Sequence, residues 1–398
     1  MIKTFKNKLR IRYLAVLAVM LIAAMLLPTA FVRPSQGVTS SIVTGIGIDK
    51  QNGEYTVSVQ TVASNPAQGE EVINTVDTTG TSIISALQSL SFKLGKNLGF
   101  EHLGVIVLGN SMQNEEIVSF LIYLYRHRKI SLNTVLINYQ GPASDLLSAS
   151  NEVYTLQSGS LQNNSHFGTR HSKTARSTTV GMFLNDFYKK GSPGIIPEIE
   201  EPEKPPEGEE GEEGGIAMII NTGRAAIYKN GRHITSSPPE ITRGFNRLDR
   251  KQKRSIEEIE NLNSGPFEND AKLILEIKKT RIRKSRSIVD GKFITRVRLN
   301  VYCRPISVSQ QNRQIQINQN LQNYLTEEVK EKLSAKIKDE VAASLAFSKT
   351  NNVDIFFLED NFYRRKNRAY KRTSTNITSD DFLQNSEIDL KVRVLPFR

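Results

Sequence analysis

The side chains that most often bind metal ions or carry out catalysis are few in this chain and lie far apart. Its 398 residues include one cysteine and five histidines, which are His102, His127, His166, His171 and His233. His166 and His171 are five residues apart in a polar stretch, without a nearby carboxylate or thiol to complete a metal site. Cys303 lies within a strand-like pattern and is expected in the core. We therefore predict no metal ion, and a packed or hydrogen-bonded role rather than a catalytic one for His102.

Two glycine-containing segments near residue 50 also lack the features of ligand-binding loops. Gly45-x-Gly47 has no third glycine and no helix after it, so it does not match a nucleotide-binding loop. Asp49-x-Gln51-x-Gly53 lacks the ligands of a calcium loop at its third and fifth positions. Because neither segment matches a ligand loop and no nucleophile has a base and an acid nearby, we predict no catalytic residue and no cofactor. A hydrolase whose triad forms only in the folded chain is a remote alternative.

The N-terminus has the pattern of a membrane anchor. Residues 1–12 carry five basic side chains and no acidic one, and residues 13–32 are largely apolar. A helix of about 20 residues spans the hydrocarbon core of a bilayer, and basic flanks stay in the cytoplasm. We predict a cytoplasmic tail at 1–12, a transmembrane helix at 13–32 and an extracytoplasmic location for the rest. A signal peptide cleaved near Ser35-x-Gly37 is the alternative.

Residues 41–195 alternate between strand and helix patterns, which predicts an N-terminal α/β domain. Asn52-Gly53 followed by the alternating run Tyr55–Val62 predicts a hairpin, since both turn positions favour positive φ. The apolar stripe from Ile83 to Leu94 predicts a helix that Thr79 or Thr81 caps and Gly95 ends. Further strands are expected at 103–108 and 132–138, with helices after 114 and 142. We expect a polar loop from 151 to 190, with a short ordered segment around 180–188.

An acidic stretch follows, and we predict a linker at 196–214. Between residues 197 and 215 there are nine glutamates, one lysine and many prolines and glycines, a composition that repels itself and buries little apolar area. The whole chain nevertheless has a formal net charge of +12, so the remainder is strongly basic. Such a surface is attracted to anionic lipid or acidic polymers. The basic runs 243–254 and 278–286 lack interleaved aromatic residues or a reader motif, so we predict no nucleic-acid partner.

The second half of the chain predicts two more small domains, at 215–265 and 266–398. In the first, strands at 216–220 and 224–228 precede a hairpin turn at Asn230-Gly231. In the second, strands are expected at 271–278, 293–303, 314–317 and 387–394, with a long helix at 318–347. The apolar residues of this helix recur every four positions, so the row winds around a 3.6-residue helix. We expect its two ends to bury different faces, or the helix to bend around a curved sheet.

Three segments of the chain resemble the Ger(x)C family, the C subunits of nutrient germinant receptors in spore-forming bacteria. The first segment matches a family pattern through Gly47-Ile48-Asp49, Tyr55–Gln60, Ser85-Ala86, His102, Ile106-Val107 and Gly109. The second matches through Ala225–Gly231, Glu240 and Thr242-Arg243-Gly244, and the third through Asp354, the basic segment 362–366 and the terminal strand. Two departures stand out: Phe357 and Leu358 replace small residues, and no cysteine lies near residues 25–40 to receive a lipid.

The resemblance implies a non-catalytic receptor subunit that works with two integral membrane subunits, A and B, at the inner spore membrane and helps to trigger germination. In that family the nutrient is usually bound by the B subunit, so we assign no small-molecule site to this chain. Together with the patterns above, it predicts a mixed α/β or α+β protein. We expect three small extracytoplasmic domains, each a mainly antiparallel or mixed sheet packed with helices, behind a single-pass anchor. The alternative is an anchored envelope module that binds an acidic cell-wall polymer or anionic lipid through its basic surface.

Overall fold

The computed structural model describes most of the chain after residue 40. The described residues are 20, 41–65, 70–113, 115–128, 130–149, 157–171, 176–200, 223–249, 254–267, 271–310, 313–316, 321–373 and 379–397. Among them, no helix is both long and apolar enough to cross a membrane. The transmembrane helix expected at 13–32 and the strand expected at 216–220 lie outside the described residues, apart from Met20.

Within these ranges the strands form two sheets, one of ten strands and one of five. The first is mixed and has the order β10-β9-β8-β6-β5-β1-β2-β3, with β4 beside β1 and β7 beside β6. Its strands are β1 Ser41–Gln51, β2 Glu54–Asn65, β3 Glu70–Gly80, β4 Leu98–Gly99, β5 Val105–Leu108, β6 Val135–Tyr139, β7 Thr178–Thr179, β8 Gly194–Ile199, β9 Arg224–Lys229 and β10 Arg232–Ser237. The β1–β2 hairpin is as expected, with φ of 51° at Asn52 and 85° at Gly53.

Five helices cover this first sheet: α1 Ile83–Leu94, α2 Val118–Arg128, α3 Ala143–Ser148, α4 Gln157–His171 and α5 Val180–Phe187. Helix α1 ends at Gly95 in the left-handed conformation, as predicted. Its cap is Ser82, not Thr79 or Thr81, because the Ser82 and Ser85 side chains form a reciprocal capping box. Helix α4 replaces part of the loop expected at 151–190, where a polar sequence gave no helical stripe.

The second sheet consists of β11 Ser255–Leu262, β12 Ala271–Val289, β13 Lys292–Gln310, β14 Arg313–Gln316 and β15 Ser386–Pro396. Strands β12 and β13 form a long antiparallel hairpin, and β15 pairs in parallel with β13. The accompanying helices are α6 Pro239–Asn246, α7 Glu327–Thr350, α8 Leu358–Arg365, α9 Asn367–Thr373 and α10 Ser379–Gln384. This mixture of sheets and helices bears out a mixed α+β fold.

The long helix differs from the prediction at both ends and in its buried row. It begins at Glu327, not residue 318, because the Thr326 hydroxyl accepts a hydrogen bond from the Val329 amide and caps it. The buried positions follow the four-residue step as far as Val341. They then shift to Ser344 and Ser348, whereas Leu345 is only half-buried. The first half of α7 packs under the second sheet, and Val341 joins a different cluster.

The division into three sheet-containing domains needs correction, because the described strands form two sheets. The residues expected in a second domain at 215–265 are divided between the two sheets. Strands β9 and β10 extend the first sheet, and β11 belongs to the second. Strand β9 pairs antiparallel with β8, so the acidic stretch expected as an interdomain linker connects two neighbouring strands. Which parts of the chain fold independently remains a prediction.

Hydrophobic packing joins the two sheets. One cluster brings Ile195 and Ile227 of the first sheet together with Phe245 of α6, Phe293 of the second sheet and Val341 of α7. Separate clusters lie on the two faces of the first sheet and beneath the second sheet. The two sheets therefore share a core at their junction, in addition to having cores of their own.

Candidate functional site: motif carboxylates and a basic sheet face

Asp49, the acidic residue of the first motif, holds two loops in place. One carboxylate oxygen accepts a hydrogen bond from the Ala143 amide at the start of α3 (2.9 Å), and the other accepts one from the Ser111 hydroxyl (3.1 Å). Burial raises the pKa of Asp49 above its usual range, and these hydrogen bonds offset part of that rise. Both oxygens are therefore engaged with the protein itself.

Two glycines of the same motif are required by this arrangement. A Cβ atom on Gly109 would lie 1.9 Å from the Asp49 carboxylate, and one on Gly47 would lie 3.0 Å from the Ala143 side chain. Only a residue without a side chain leaves this space to the carboxylate and to α3. His102, which belongs to the same motif, is exposed in a turn. The first motif therefore has a structural role, which is to hold β1, the Ser111 loop and the start of α3 together.

Asp354, the acidic residue of the third motif, has a similar role at the start of α8. It is buried, and one of its oxygens accepts a hydrogen bond from the Glu359 amide (2.7 Å). Burial raises the pKa of Asp354 to about 7, despite hydrogen bonds from backbone amides of the first turn, which lower it. Phe357 precedes the helix with φ 56° and ψ 38°, a left-handed conformation in which a small residue such as glycine has no penalty.

Glu198 and His233 belong to the polar cluster that most resembles a catalytic site. Glu198 accepts hydrogen bonds from Ser236 (2.8 Å) and Asn138 (2.9 Å), and Ser236 contacts the His233 ring at 3.1 Å. Burial lowers the pKa of His233. In a hydrolase triad the histidine stands between the serine and the acid. Here the serine stands between the other two, and its proton goes to Glu198, so this order does not activate a nucleophile.

A buried charge network joins the end of α6 to β11 of the second sheet and to α7. The Arg247 guanidinium donates to Glu257 of β11 (2.6 Å) and to Glu340 of α7 (2.7 Å). Burial opposes ionisation of Glu257, but the Arg247 charge more than compensates and lowers its pKa to about 2. Because Arg247 binds both carboxylates, the network fixes these elements to one another and engages both acids with the protein itself.

The histidines and the cysteine considered for metal binding are separate in the fold. His166 and His171 both lie on α4, where a spacing of five residues places them about 140° apart around the helix axis. Across the described ranges, no three His, Cys, Asp or Glu residues lie close enough to hold a metal ion. Cys303 is buried in β13, and burial raises the pKa of its thiol to about 12, so it is neutral at physiological pH.

The exposed face of the second sheet carries a compact group of cations, which we call the basic face. Its members lie on β12, β13 and β15 and are all exposed: Arg281, Arg283, Arg298, Lys391 and Arg393. The strand register places Arg298 directly opposite both Arg283 and Lys391. In the part of the chain that the structure describes, none of these five forms an ion pair, although Arg296–Asp389 and Arg304–Glu276 pairs flank them.

Like charges placed directly opposite each other destabilise a sheet. A row of three cations therefore lowers stability unless it meets an anion. The basic run 278–286 was recognisable in the sequence, but its partners on β13 and β15 were not. The signal that could have revealed the basic face is the two-residue spacing of Lys279, Arg281 and Arg283, which puts all three on one face of a strand.

Comparison with known proteins gives two family matches that follow one another along the chain. The model described as the spore germination protein N-terminal domain matches residues 39–201. The model described as spore germination B3/GerAC-like, C-terminal, matches residues 222–395. A crystal structure of the GerBC protein is similar at 14% identity, covering 88% of this chain and 97% of that one, with a TM-score of 0.47. No curated protein matches the chain.

Proposed function

Since the chain belongs to the family of GerAC-like spore germination proteins, the C subunits of germinant receptors, we propose that it assembles with the two integral membrane subunits A and B of such a receptor. In this proposal it is a non-catalytic subunit whose assembly with A and B helps to trigger germination. The observation that carries the proposal is the pair of family matches, which follow in order and cover most of the chain.

The chemistry of the motif residues supports a role through contact. Asp49 and Asp354 accept hydrogen bonds from the backbone at the starts of helices, so these acids maintain surfaces rather than act on a substrate. The apolar segment 13–32 is the proposed anchor, with the folded part outside the membrane. The proposed location is the inner spore membrane or the cell membrane.

The experiment is affinity purification of the tagged full-length chain from spore membranes in mild detergent, with mass spectrometry of the captured proteins. We expect two multi-spanning subunits encoded beside this chain. A matched strain lacking the chain should lose the response to at least one nutrient germinant. Capture without any membrane partner, together with normal germination of the deletion strain on every germinant, would contradict the proposal.

The basic face supports a second candidate function, which is binding to an anionic surface. Clustered cations near a membrane are attracted to anionic lipid, and the attraction is screened by salt. The alternative is therefore an envelope module that binds anionic lipid or an acidic cell-wall polymer. The full chain would be tested against anionic vesicles, zwitterionic vesicles and purified wall polymer, in low salt and in about 0.5 M salt.

The variant Arg283→Gln/Arg298→Gln/Lys391→Gln distinguishes binding by the basic face from a general effect of the net charge of the protein. We expect it to bind anionic surfaces about tenfold more weakly or worse. The matched control Lys330→Gln/Lys338→Gln/Lys349→Gln removes the same charge from α7 and should bind normally. Equal loss in both variants would show that net charge, and not the basic face, is responsible.

A further inference from the structure

A cleft of about 480 Å³ lies at the junction of the two sheets. Its walls come from the segments before and after α5, the end of α6, strand β12 and the start of α8. Clefts of this size that lie between structural units are common sites for small molecules. Sequence patterns do not indicate this cleft, because its walls come from separate segments spread between residues 176 and 365.

The cleft is basic. Two carboxylates, Asp249 and Asp360, face five cations, which are Arg176, Lys189, Lys284, Arg286 and Arg365. Asp360 already accepts a hydrogen bond from Arg364, which lies outside the lining. Arg286 donates to Asn361 at 2.9 Å, so its guanidinium has a fixed position on the wall. Among the described residues, Asp186 beside the cleft is a third carboxylate and pairs with Arg176 and Lys189, so five cations stand against three carboxylates and the balance stays positive.

Arg176 is the most confined of these cations. It is only 8% exposed, and its nearest carboxylate, Asp186, is 4.0 Å away and also binds Lys189. Its guanidinium lies 5.7 Å from the Phe245 ring and 5.9 Å from the Phe357 ring. Its Nε has no hydrogen-bond partner among the described residues. A buried donor without an acceptor is unfavourable, and the Arg176 side chain lines the cleft in which an acceptor could bind.

Phe357 and Phe245 form an aromatic wall of the cleft, and the backbone of Phe357 is strained. Phe357 has φ 56°, which an aromatic residue rarely adopts. This conformation places its ring against Arg176 and 5.4 Å from the Lys189 ammonium. Strained residues of this kind cluster at ligand sites, where the strain holds a side chain ready. The ring therefore stands beside the two cations, where it can pack against the apolar part of a bound anion.

We propose that this cleft binds a small organic anion. Its carboxylate or phosphate group accepts a hydrogen bond from Arg176 and pairs with Lys189, and its apolar body packs on Phe357 and Phe245. This inference does not depend on the proposed receptor function, since it concerns the cleft alone.

The test is isothermal titration calorimetry of the full-length chain in detergent with phenyl phosphate, benzoate, inorganic phosphate and benzyl alcohol. Phenyl phosphate or benzoate should bind, and the tighter of the two identifies the preferred acid group. Inorganic phosphate should bind more weakly than phenyl phosphate because it lacks the apolar body. Binding of benzyl alcohol as tight as that of both anions, or binding of no anion, would overturn the proposal.

Arg176→Met, which keeps an apolar stem, should weaken anion binding by about tenfold or more, the loss expected for a charge-assisted hydrogen bond. The matched control is Arg281→Met, since Arg281 also lies over a ring, that of Tyr302 at 5.5 Å, but on the basic face. Equal affinities of these two variants would overturn the role of Arg176.

Phe357→Gly separates binding from folding. Glycine adopts the left-handed conformation without strain, which offsets part of the packing lost with the ring, so the variant should remain folded with a cooperative melting transition. Loss of the ring should weaken phenyl phosphate binding by about fivefold or more and leave inorganic phosphate binding unchanged. Unchanged affinity for phenyl phosphate would overturn the role of the aromatic wall.

Discussion

At the scale of single residues, the acidic side chains of the first and third motifs, Asp49 and Asp354, hold the ends of helices in place. The sequence identified Asp49 and Gly109 as members of one pattern but gave no reason for their pairing. The structure supplies it, because the carboxylate occupies the position of the missing Gly109 side chain. A contact between residues 60 positions apart depends on strand order, which local patterns do not contain.

This pairing predicts a non-additive result in a double-mutant cycle. Gly109→Ala should lower the free energy of unfolding by about 3 kcal/mol, because the new methyl group displaces the Asp49 carboxylate. In an Asp49→Ala background the same change should cost about 1 kcal/mol, since the obstructing group is gone. Denaturant unfolding of the four proteins gives the coupling. An equal cost in both backgrounds would contradict the proposed contact.

Asp354 predicts a pH dependence of stability. Its pKa is about 7 in the folded protein against an ordinary value of 3.8, so between these values the native state holds a proton that the unfolded state has released. The free energy of unfolding should therefore fall as pH rises from about 4 to 7, by up to about 4 kcal/mol, and level off above that.

The variant Asp354→Asn isolates this contribution, because asparagine has no proton to release. Urea unfolding of both proteins at several pH values should give a smaller slope for the variant. Parallel pH profiles for wild type and variant would show that Asp354 titrates with an ordinary pKa.

At the scale of elements, the sequence predicted that a long helix exists but not which of its positions are buried. The apolar row leads to Leu345, yet the structure buries Ser344. The reason is the close approach of α6, where a Cβ on Gly244 would lie 2.1 Å from the Glu340 carbonyl and from the Ser344 hydroxyl. Ser344 donates to the Ile241 carbonyl at 2.8 Å. Only small residues fit where α6 and α7 cross, and the spacing of apolar residues in the sequence does not reveal that two helices cross.

Filling the apolar row should therefore destabilise the protein. Ser344→Leu adds a hydrophobic side chain at a helical position but should lower the free energy of unfolding by about 3 kcal/mol, because it forces α6 and α7 apart. The control Ala343→Leu adds the same group at an exposed neighbouring position and should change stability by less than about 0.5 kcal/mol. Thermal unfolding followed by circular dichroism would compare them. Equal effects would argue against the close packing.

The basic face predicts opposite effects for two arginines on the same strand. Arg298→Thr should raise the free energy of unfolding by about 0.5 kcal/mol at low salt, because Arg298 lies between two cations. Arg304→Thr should lower it by a similar amount, because Arg304 pairs with Glu276 at 2.9 Å. Both effects should shrink in about 0.5 M salt. Urea unfolding measures them, and effects of the same sign would contradict the assignment.

At the scale of the whole molecule, the strand content was largely predictable and the assembly was not. The expected hairpin turns at Asn52-Gly53 and Asn230-Gly231 are present, each with positive φ at both residues. The acidic stretch suggested a boundary, however, because its composition resembles that of linkers between domains. Strand pairing across it depends on partners distant in sequence, so sequence patterns alone place β9 and β10 in a separate domain.

The shared sheet predicts how fragments behave. A fragment of residues 41–200 lacks β9 and β10, so it exposes the edge of β8 and loses Tyr228, which packs edge-on against Phe183 at 5.7 Å. A fragment of residues 41–249 retains both strands and α6. We expect the longer fragment to be the more soluble and the more resistant to proteolysis. Equal behaviour of the two would indicate that β9 and β10 contribute little to the first sheet.

The antiparallel pairing of β8 with β9 makes the acidic connection between them a suitable place for an insertion. Its two ends lie on adjacent strands, about 5 Å apart. A change in the length of the connection therefore does not move any other part of the protein. Each halving of such a loop changes its closure free energy by only about 0.6 kcal/mol. A reporter inserted between residues 200 and 223 should therefore leave the pairing of β8 with β9 intact.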